Sequence, residues 1–289
     1  MRKNNTFWGY FFLTPQLIGL LVFSLIPLVF ALVLSFMKWD GFGAKTFVGL
    51  GNFIGQFQNP VFWKALWNTT LYTILTIPVG VALSLLLALA LNRIKGKELY
   101  RVFFFMPVVT SSVSIGVIWM WILNGDFGIL NQFLGYIGIE GPQWLTDTRL
   151  VMISIAILSI WWSVGYNMVI FLAGLQGVSN SYYEAAEIDG ASKFQKFRHI
   201  TLPLISPTTF FVSIMSLIGS FQVFDQAFVM TGGGPAKSSY TLVFHVYETG
   251  FRNFKWGESS AVAMILFVII LIFTLIQFRV SKRWVHYEG

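Results

Sequence analysis

The sequence predicts an all-α integral membrane protein of six transmembrane helices with both termini in the cytoplasm. Three observations carry that expectation. Of 289 residues, 56% are hydrophobic and 18% aromatic, while only 11% are charged, against about 25% charged in an ordinary soluble domain. The charges punctuate apolar runs and form no patch. The runs number six, and each can supply the roughly 20 apolar residues that cross a bilayer. A soluble fold of this length has too little interior to hide so much apolar surface.

The first run lies between Lys3 and Lys38, with a span near residues 9–37. Two basic residues precede it, as in a signal peptide. Its apolar stretch is too long for one, and no small-x-small cleavage site follows, so it reads as an uncleaved span. The second span, near 69–91, is enclosed by Lys64 and Arg93, and the third, near 103–123, by Arg101 and Asp126. A fourth, near 150–174, lies between Arg149 and Glu184. The fifth, near 204–230, contains one acid, Asp225, and the sixth, near 259–279, is bounded by Glu258 and Arg279.

Orientation follows from the placement of Lys and Arg. With the N-terminus inside, twelve basic residues, Arg2 and Lys3 among them, fall on the cytoplasmic side and seven outside. The single segment Asn92–Val102 holds Arg93, Lys95, Lys97 and Arg101. The outer segments Lys38–Asn68, Asn124–Arg149 and Thr231–Glu258 have room for short surface helices and nothing larger. No internal repeat, low-complexity tract or appended soluble domain is visible, so residues 1–289 read as one membrane domain.

Several chemistries are excluded early. There is no cysteine, hence no disulfide, thiol nucleophile or thiolate metal site. Three histidines and twelve acids, widely scattered, form no metal cage, and no paired acids or nucleophile–base set suggests catalysis. The net charge of +7 is too dispersed for nucleic acid. The run Gly232-Gly233-Gly234-Pro235-Ala236-Lys237 lacks the phosphate-loop spacing and reads as a helix-ending turn. His199 and His245 read as solvated loop residues. The spans offer no second acid, lysine or mid-span histidine for an ion relay.

The segment from Ser181 to Pro207, between spans four and five, reads as a short helix, a glycine turn and a second short helix on the cytoplasmic face. Ser181 with Glu184, then Ser192 with Gln195, have the spacing of capping boxes. Acids come first (Glu184, Glu187, Asp189) and bases last (Lys193, Lys196, Arg198), which suits the helix dipoles. On physics alone the pair is equally an amphipathic hairpin resting on lipid head groups.

Glu184-Ala185-Ala186, Asp189-Gly190-Ala191, Phe197, Ile200, Leu202-Pro203 and Pro207 resemble the EAA loop of permease subunits in binding-protein-dependent ABC importers. Met230-Thr231-Gly232-Gly233-Gly234-Pro235, with Phe224-Asp225 before it and Tyr240-Thr241-Leu242 after, resembles the carbohydrate, maltose-type branch. Thr14-Pro15, Val48-Gly49-Leu50-Gly51-Asn52-Phe53, Asn68-Thr69, Gly128-Ile129-Leu130-Asn131 and Gly257-Glu258-Ser259-Ser260-Ala261 fit it too. The likeness covers essentially the whole chain, and the short N-terminus leaves no room for the extra helices of some relatives.

The resemblance implies a multi-pass permease of a prokaryotic cytoplasmic membrane, embedded in lipid. It would pair with a second, commonly non-identical permease. Two cytoplasmic ATPase subunits would bind the ATP and Mg2+, and an external sugar-binding protein would deliver substrate. The chain itself would carry no cofactor, metal or catalytic residue. Residues 181–203 would be the coupling element, with Glu184 meeting a basic residue of the ATPase and Gly190 allowing the turn. The competing reading is a self-contained secondary carrier or channel for a polar solute.

Transport needs a polar path, and span four supplies one. Ser159, Trp162, Ser163, Tyr166 and Asn167 share a helical face, and rings beside hydroxyls suit the CH faces and hydroxyl edges of sugars. Close helix packing by the serines is the alternative. Span five adds Ser213, Ser216 and Ser220, a packing stripe or a second wall. Asp225, Gly232, Gly233, Gly234 and Pro235 read as structural or gating positions, with Gln222 and Gln226 able to share the hydrogen bonds of Asp225.

Overall fold

The computed structural model describes residues 2–92 and 94–286. Arg93 and the side chains of Arg2 and Lys3, counted above as cytoplasmic, lie outside the described residues. Four helices are long and apolar enough to cross a membrane: Tyr10–Ser35, Pro60–Asn92, Val151–Gly177 and Trp256–Ser281. Two bent pairs bring the number of candidate spans to as many as six. The first span is built from α1 (Arg2–Leu20) and α2 (Ile26–Ser35), joined by a wide π turn at Leu21–Leu25. That turn comes just before Pro27, which has no N–H for the regular ladder. A two-residue hairpin, β1 (Met37–Lys38) with β2 (Thr46–Phe47), and α3 (Gly51–Gln58) follow.

Next comes α4 (Pro60–Asn92), which starts nine residues before the second expected span, with Pro60 at a position where a missing N–H costs nothing. The third expected span, 103–123, is not one straight helix. It is α5 (Lys97–Val109) and α6 (Ser112–Ile122), bent by 95°. Pro107 lies in the last turn of α5, and Thr110 and Ser111 take extended backbone at ψ 145° and 131°. The short helix α7 (Ile129–Tyr136) leads to α8 (Val151–Gly177), which covers the fourth expected span.

After α8 come α9 (Asn180–Ile188), α10 (Lys193–Lys196), a π turn at Phe197–Thr201 and α11 (Leu202–Leu204). The fifth expected span, 204–230, is also broken. α12 (Ser206–Phe221) stops, and after three residues α13 (Asp225–Thr231) begins. The break is tolerated because its freed Val223 carbonyl accepts a hydrogen bond from Thr241 Oγ1 at 2.8 Å. Asp225 therefore does not lie inside one continuous helix. It opens a short helix, where the dipole favours a negative charge. Finally α14 (Leu242–Tyr247) and α15 (Trp256–Ser281) complete the chain.

Contacts divide the chain into two compact units. The first comprises Met1–Phe62 and His245–Phe267. Here buried Asn52 donates from Nδ2 to the carbonyls of Ser35 and Met37, both at 2.9 Å. The Ser35 carbonyl is an end-of-helix acceptor that would otherwise lack a partner, and that of Met37 follows in β1. Gly257 packs against the Met37 carbonyl oxygen, where any Cβ would overlap it. His245, expected to be solvated, is only 5% exposed, with Nε2 2.9 Å from Gln56 Oε1. A side chain on a short helix can turn inward once a buried amide satisfies its ring nitrogen.

The second unit, Trp63–Phe244 with Val268–Gly289, holds a core of Ala88 and Leu91 from α4, Met168, Phe171 and Leu172 from α8, and Ile205 and Val212 beside them. Gly165 on α8 is what lets α5 approach: a Cβ there would overlap the Phe104 carbonyl oxygen. Gly165→Ala is expected to cost about 1–3 kcal/mol by overpacking. A thermal melt of the detergent-purified protein should show a drop of several degrees. Gly177→Ala, where nothing lies within 4 Å, should leave the melt unchanged, and equal effects of the two would refute the packing argument.

Candidate functional site

Within the second unit, α4, α8, α12 and the start of α13 enclose a cavity of about 450 Å³. Volumes of 300–1,000 Å³ are typical of small-molecule sites. All five residues of the span-four stripe, Ser159, Trp162, Ser163, Tyr166 and Asn167, line it, together with Ser216 and Ser220 from α12. Ser213 does not. Asp225, Gln222 and Gln226 complete one end.

The walls are partly satisfied and partly not. Ser159 Oγ donates to the Ile155 carbonyl at 2.8 Å. Thr73 Oγ1 donates to Ser220 Oγ at 3.1 Å, and Asn167 Nδ2 to Ser216 Oγ at 3.5 Å. The indole nitrogen of Trp162 is buried yet has no acceptor among the described residues, and a buried donor without a partner calls for an explanation. Tyr166 remains 44% exposed. The arrangement offers flat rings, hydroxyls and an amide in one space, without a nucleophile–base pair. Among the described residues no three His, Asp or Glu side chains gather to hold a metal.

Sequence reasoning missed the third wall. Tyr72, Thr76 and Gly80 of α4 also line the cavity, and their spacing of four residues is a signal that a period search of span two would have found. Asp225 is placed by a partner far along the chain. Its Oδ2 accepts from Ser112 Oγ at 2.7 Å, linking the first residue of α6 to the first of α13.

Gly232, Gly233, Gly234 and Pro235 lie beyond the cavity lining. Gly232 ends α13 in the left-handed region at φ 58°, and Gly233, at φ 84°, lies against the rings of Tyr240 and Phe244. Both needs select glycine. The loop is held by Ser239 Oγ donating to the Gly234 carbonyl at 2.7 Å. Asn68 donates from Nδ2 to the carbonyls of Lys237 and Tyr240 at 2.8 and 2.9 Å.

The segment after α8 folds as two short helices about Gly190, at φ 75°. Glu184, Ala185 and Ala186 lie within α9, Asp189 caps its end, and Ala191 N–H returns to the Ala186 carbonyl at 2.9 Å, closing a Schellman turn. The Ser192–Gln195 capping box is present with both bonds. The Ser181–Glu184 box is not: Ser179 caps α9 instead, its Oγ accepting from Ser181 N–H at 3.3 Å. The helix simply starts two residues earlier than that box requires, at Asn180. Across the turn Lys196 pairs with Glu187, and Tyr183 hydrogen-bonds Thr201 Oγ1 at 3.0 Å. Phe197 lines a second cavity of about 400 Å³ with Glu184, Glu187, Lys193 and Lys196. Ile188 and Phe194 stand 88% and 67% exposed.

The Lys196 hydrogen bond and charge hold the Glu187 carboxyl below its ordinary value of 4.5. A lowered folded value means the brace is fully present above that ordinary value and is lost as pH falls through the lower, folded one. The protection of α9 amides, taken relative to the intrinsic exchange rate at each pH, should therefore be steady near neutrality and fall selectively in acid. Lys196→Met should remove that acid-specific step, and an unchanged step would assign it elsewhere.

Residues 48–286 match the family model described as binding-protein-dependent transport system inner membrane component. The chain belongs to this family. It is 36% identical over 295 residues to the probable ABC transporter permease protein YesP of Bacillus subtilis, covering all of this chain and 94% of that one. The sn-glycerol-3-phosphate transport system permease protein UgpA of Agrobacterium fabrum is 37% identical, with 98% and 97% covered. The arabinooligosaccharides transport system permease protein AraP of Bacillus subtilis is 35% identical, with 94% and 88% covered. In fold the permease is similar to a chain of a bacterial alginate ABC transporter crystallised with a pentasaccharide-bound periplasmic protein. That match has a TM-score of 0.84 at 22% identity and covers 97% and 96% of the two chains. The chain is thus a membrane permease component of a transport system.

Proposed function

We propose that this permease forms half of the translocation pathway of an ATP-driven importer for a sugar or oligosaccharide, in a prokaryotic cytoplasmic membrane. The observation that carries the proposal is the cavity, where Trp162 and Tyr166 stand among hydroxyls and an amide on three converging helices. Ring faces stack on the CH faces of a sugar while Ser163, Asn167 and Thr76 meet its hydroxyls, and the unpartnered Trp162 N–H gains an acceptor. Relatives named for arabinooligosaccharides and lactose support the substrate class.

Each bent pair counts as one span in this reading, giving six, with both termini and the α9–α10 hairpin cytoplasmic. The exposed Ile188 and Phe194 on that hairpin are apolar surface for an ATPase subunit, and Glu184 supplies the charge. The full assembly contains a second permease, two ATPase subunits that bind ATP and Mg2+, and an external sugar-binding protein. ATPase closure moves the hairpins, rocks the permease pair and turns the cavity outward. Release of hydrolysis products returns it inward.

Tagging the chain, extracting it gently and identifying its companions tests the assembly. Recovery of an ATPase and a second permease, with ATP-dependent sugar uptake after reconstitution, is the expected result. A chain recovered alone that moves solute without ATP would overturn the proposal.

A further inference from the structure

The hairpin β1–β2 follows directly on span one, and its tip is fixed by its own residues. Asp40 Oδ1 accepts from the Phe42 and Gly43 N–H groups at 3.0 and 2.9 Å. Trp39 Nε1 donates to the Gly43 carbonyl at 3.0 Å. The Lys45 ammonium lies 4.9 Å from the ring centre of Phe30 and 4.6 Å from that of Trp39. Phe30 precedes the end of α2 by five residues, about 7.5 Å along the axis. It is exposed on a span that is almost wholly unburied within the chain. The hairpin therefore folds back against the bare side of span one.

Phe42, at the fixed tip, is 87% exposed. Its ring centre lies 6.2 Å from that of Phe254, which is half-exposed. Phe254 takes φ 55°, a left-handed backbone that bulky residues avoid and that helix ends ordinarily give to glycine. It stands two residues before α15, whose first residue, Trp256, donates its N–H to the Trp39 carbonyl at 3.0 Å. That bond ties the two segments together. A ring held outward on such a backbone gains little from the chain itself. Lys38, Lys45 and Arg252 on the same segments are exposed, whereas Asp40 is committed to its turn and Glu258 to Lys255.

We propose that the hairpin tip and Phe254 form a clamp for an anionic phospholipid. The two rings wedge among acyl chains while Lys45 and Arg252 hold the head-group phosphate. This rests on the six-span reading with cytoplasmic termini, which puts the clamp at the outer leaflet. Continuity with the bare face of span one selects lipid over a protein partner. Aromatic rings and long basic side chains are the groups that settle at a membrane–water boundary. Each base near an anionic surface is worth roughly fivefold in lipid occupancy. The clamp anchors the outer end of span one.

The chain has no cysteine, so Phe42→Cys carries a single bimane label in the full chain, reconstituted in nanodiscs. Lipids brominated near the head-group end of their acyl chains should quench it strongly, and aqueous iodide weakly. Brominated phosphatidylglycerol should be preferred over brominated phosphatidylcholine by at least about fivefold. Lys45→Gln combined with Arg252→Gln should bring the two lipids to parity. Should Phe42→Cys fail to fold, a label at Ala44→Cys, two residues away and also exposed, reads the same preference.

A label at residue 42 that iodide quenches and brominated lipid does not would overturn the clamp, as would an undiminished preference in the double variant. A membrane-impermeant maleimide should reach Ala44→Cys from outside intact cells. Labelling only after permeabilisation would overturn the orientation instead, a result distinct from failure of the lipid contact.

Discussion

Trp162→Ala is expected to reduce sugar uptake by at least about thirtyfold while the assembled transporter is recovered in normal amount. Truncating a buried aromatic anchor at a binding site commonly costs 2 kcal/mol or more, and a sugar would lose both the ring it stacks on and the indole donor. That donor has no acceptor among the described residues, so its removal breaks no hydrogen bond seen there. Tyr166→Ala should act the same way, because its ring is partly exposed beside the cavity. Ser163→Ala should cost only a few-fold, the worth of one ordinary hydrogen bond. Radiolabelled uptake in proteoliposomes, paired with size-exclusion recovery of the complex, reads both quantities. Normal uptake by both aromatic variants would return the stripe on α8 to a packing role.

The second large effect concerns the hairpin. Glu184→Arg should abolish the stimulation of ATP hydrolysis by sugar-loaded binding protein, while direct sugar binding to the cavity stays normal. Reversing one charge of a buried interfacial pair costs about 2–5 kcal/mol, or thirtyfold and more in subunit affinity. The usual objection, that the change would unfold α9, does not apply. The helix is capped by Ser179, and Glu184 makes no hydrogen bond or ion pair among the described residues. Ile188→Glu should reproduce the loss through the apolar half of the same surface. Full stimulation in Glu184→Arg would show that coupling runs through other residues.

Much of this molecule was legible along the chain because the signals are local. The Ser192–Gln195 cap needs only its own four residues. The face shared by Ser159, Trp162, Ser163, Tyr166 and Asn167 follows from the helical period. Other positions in the family motifs had no local explanation. Asn68 ties carbonyls 169 and 172 residues away. Asn131 donates to the Gly125 and Pro142 carbonyls while its Oδ1 accepts from the Trp144 indole at 2.7 Å. Asn52 closes the end of the first span. These asparagines bracket loops, which their sequence neighbours do not reveal.

By itself the sequence determined the membrane class, the apolar segments, the glycine turn of the hairpin and the polar stripe on one helix. Each follows from composition, period or cap chemistry within one segment. Only the tertiary structure decided that the stripe faces Tyr72 and Thr76 across a cavity, that two expected spans are broken, and that Asp225 opens α13 beside Ser112. Those outcomes depend on partners more than a hundred residues away. Hydrophobic periodicity says which face of a helix is polar, but only packing decides what that face meets.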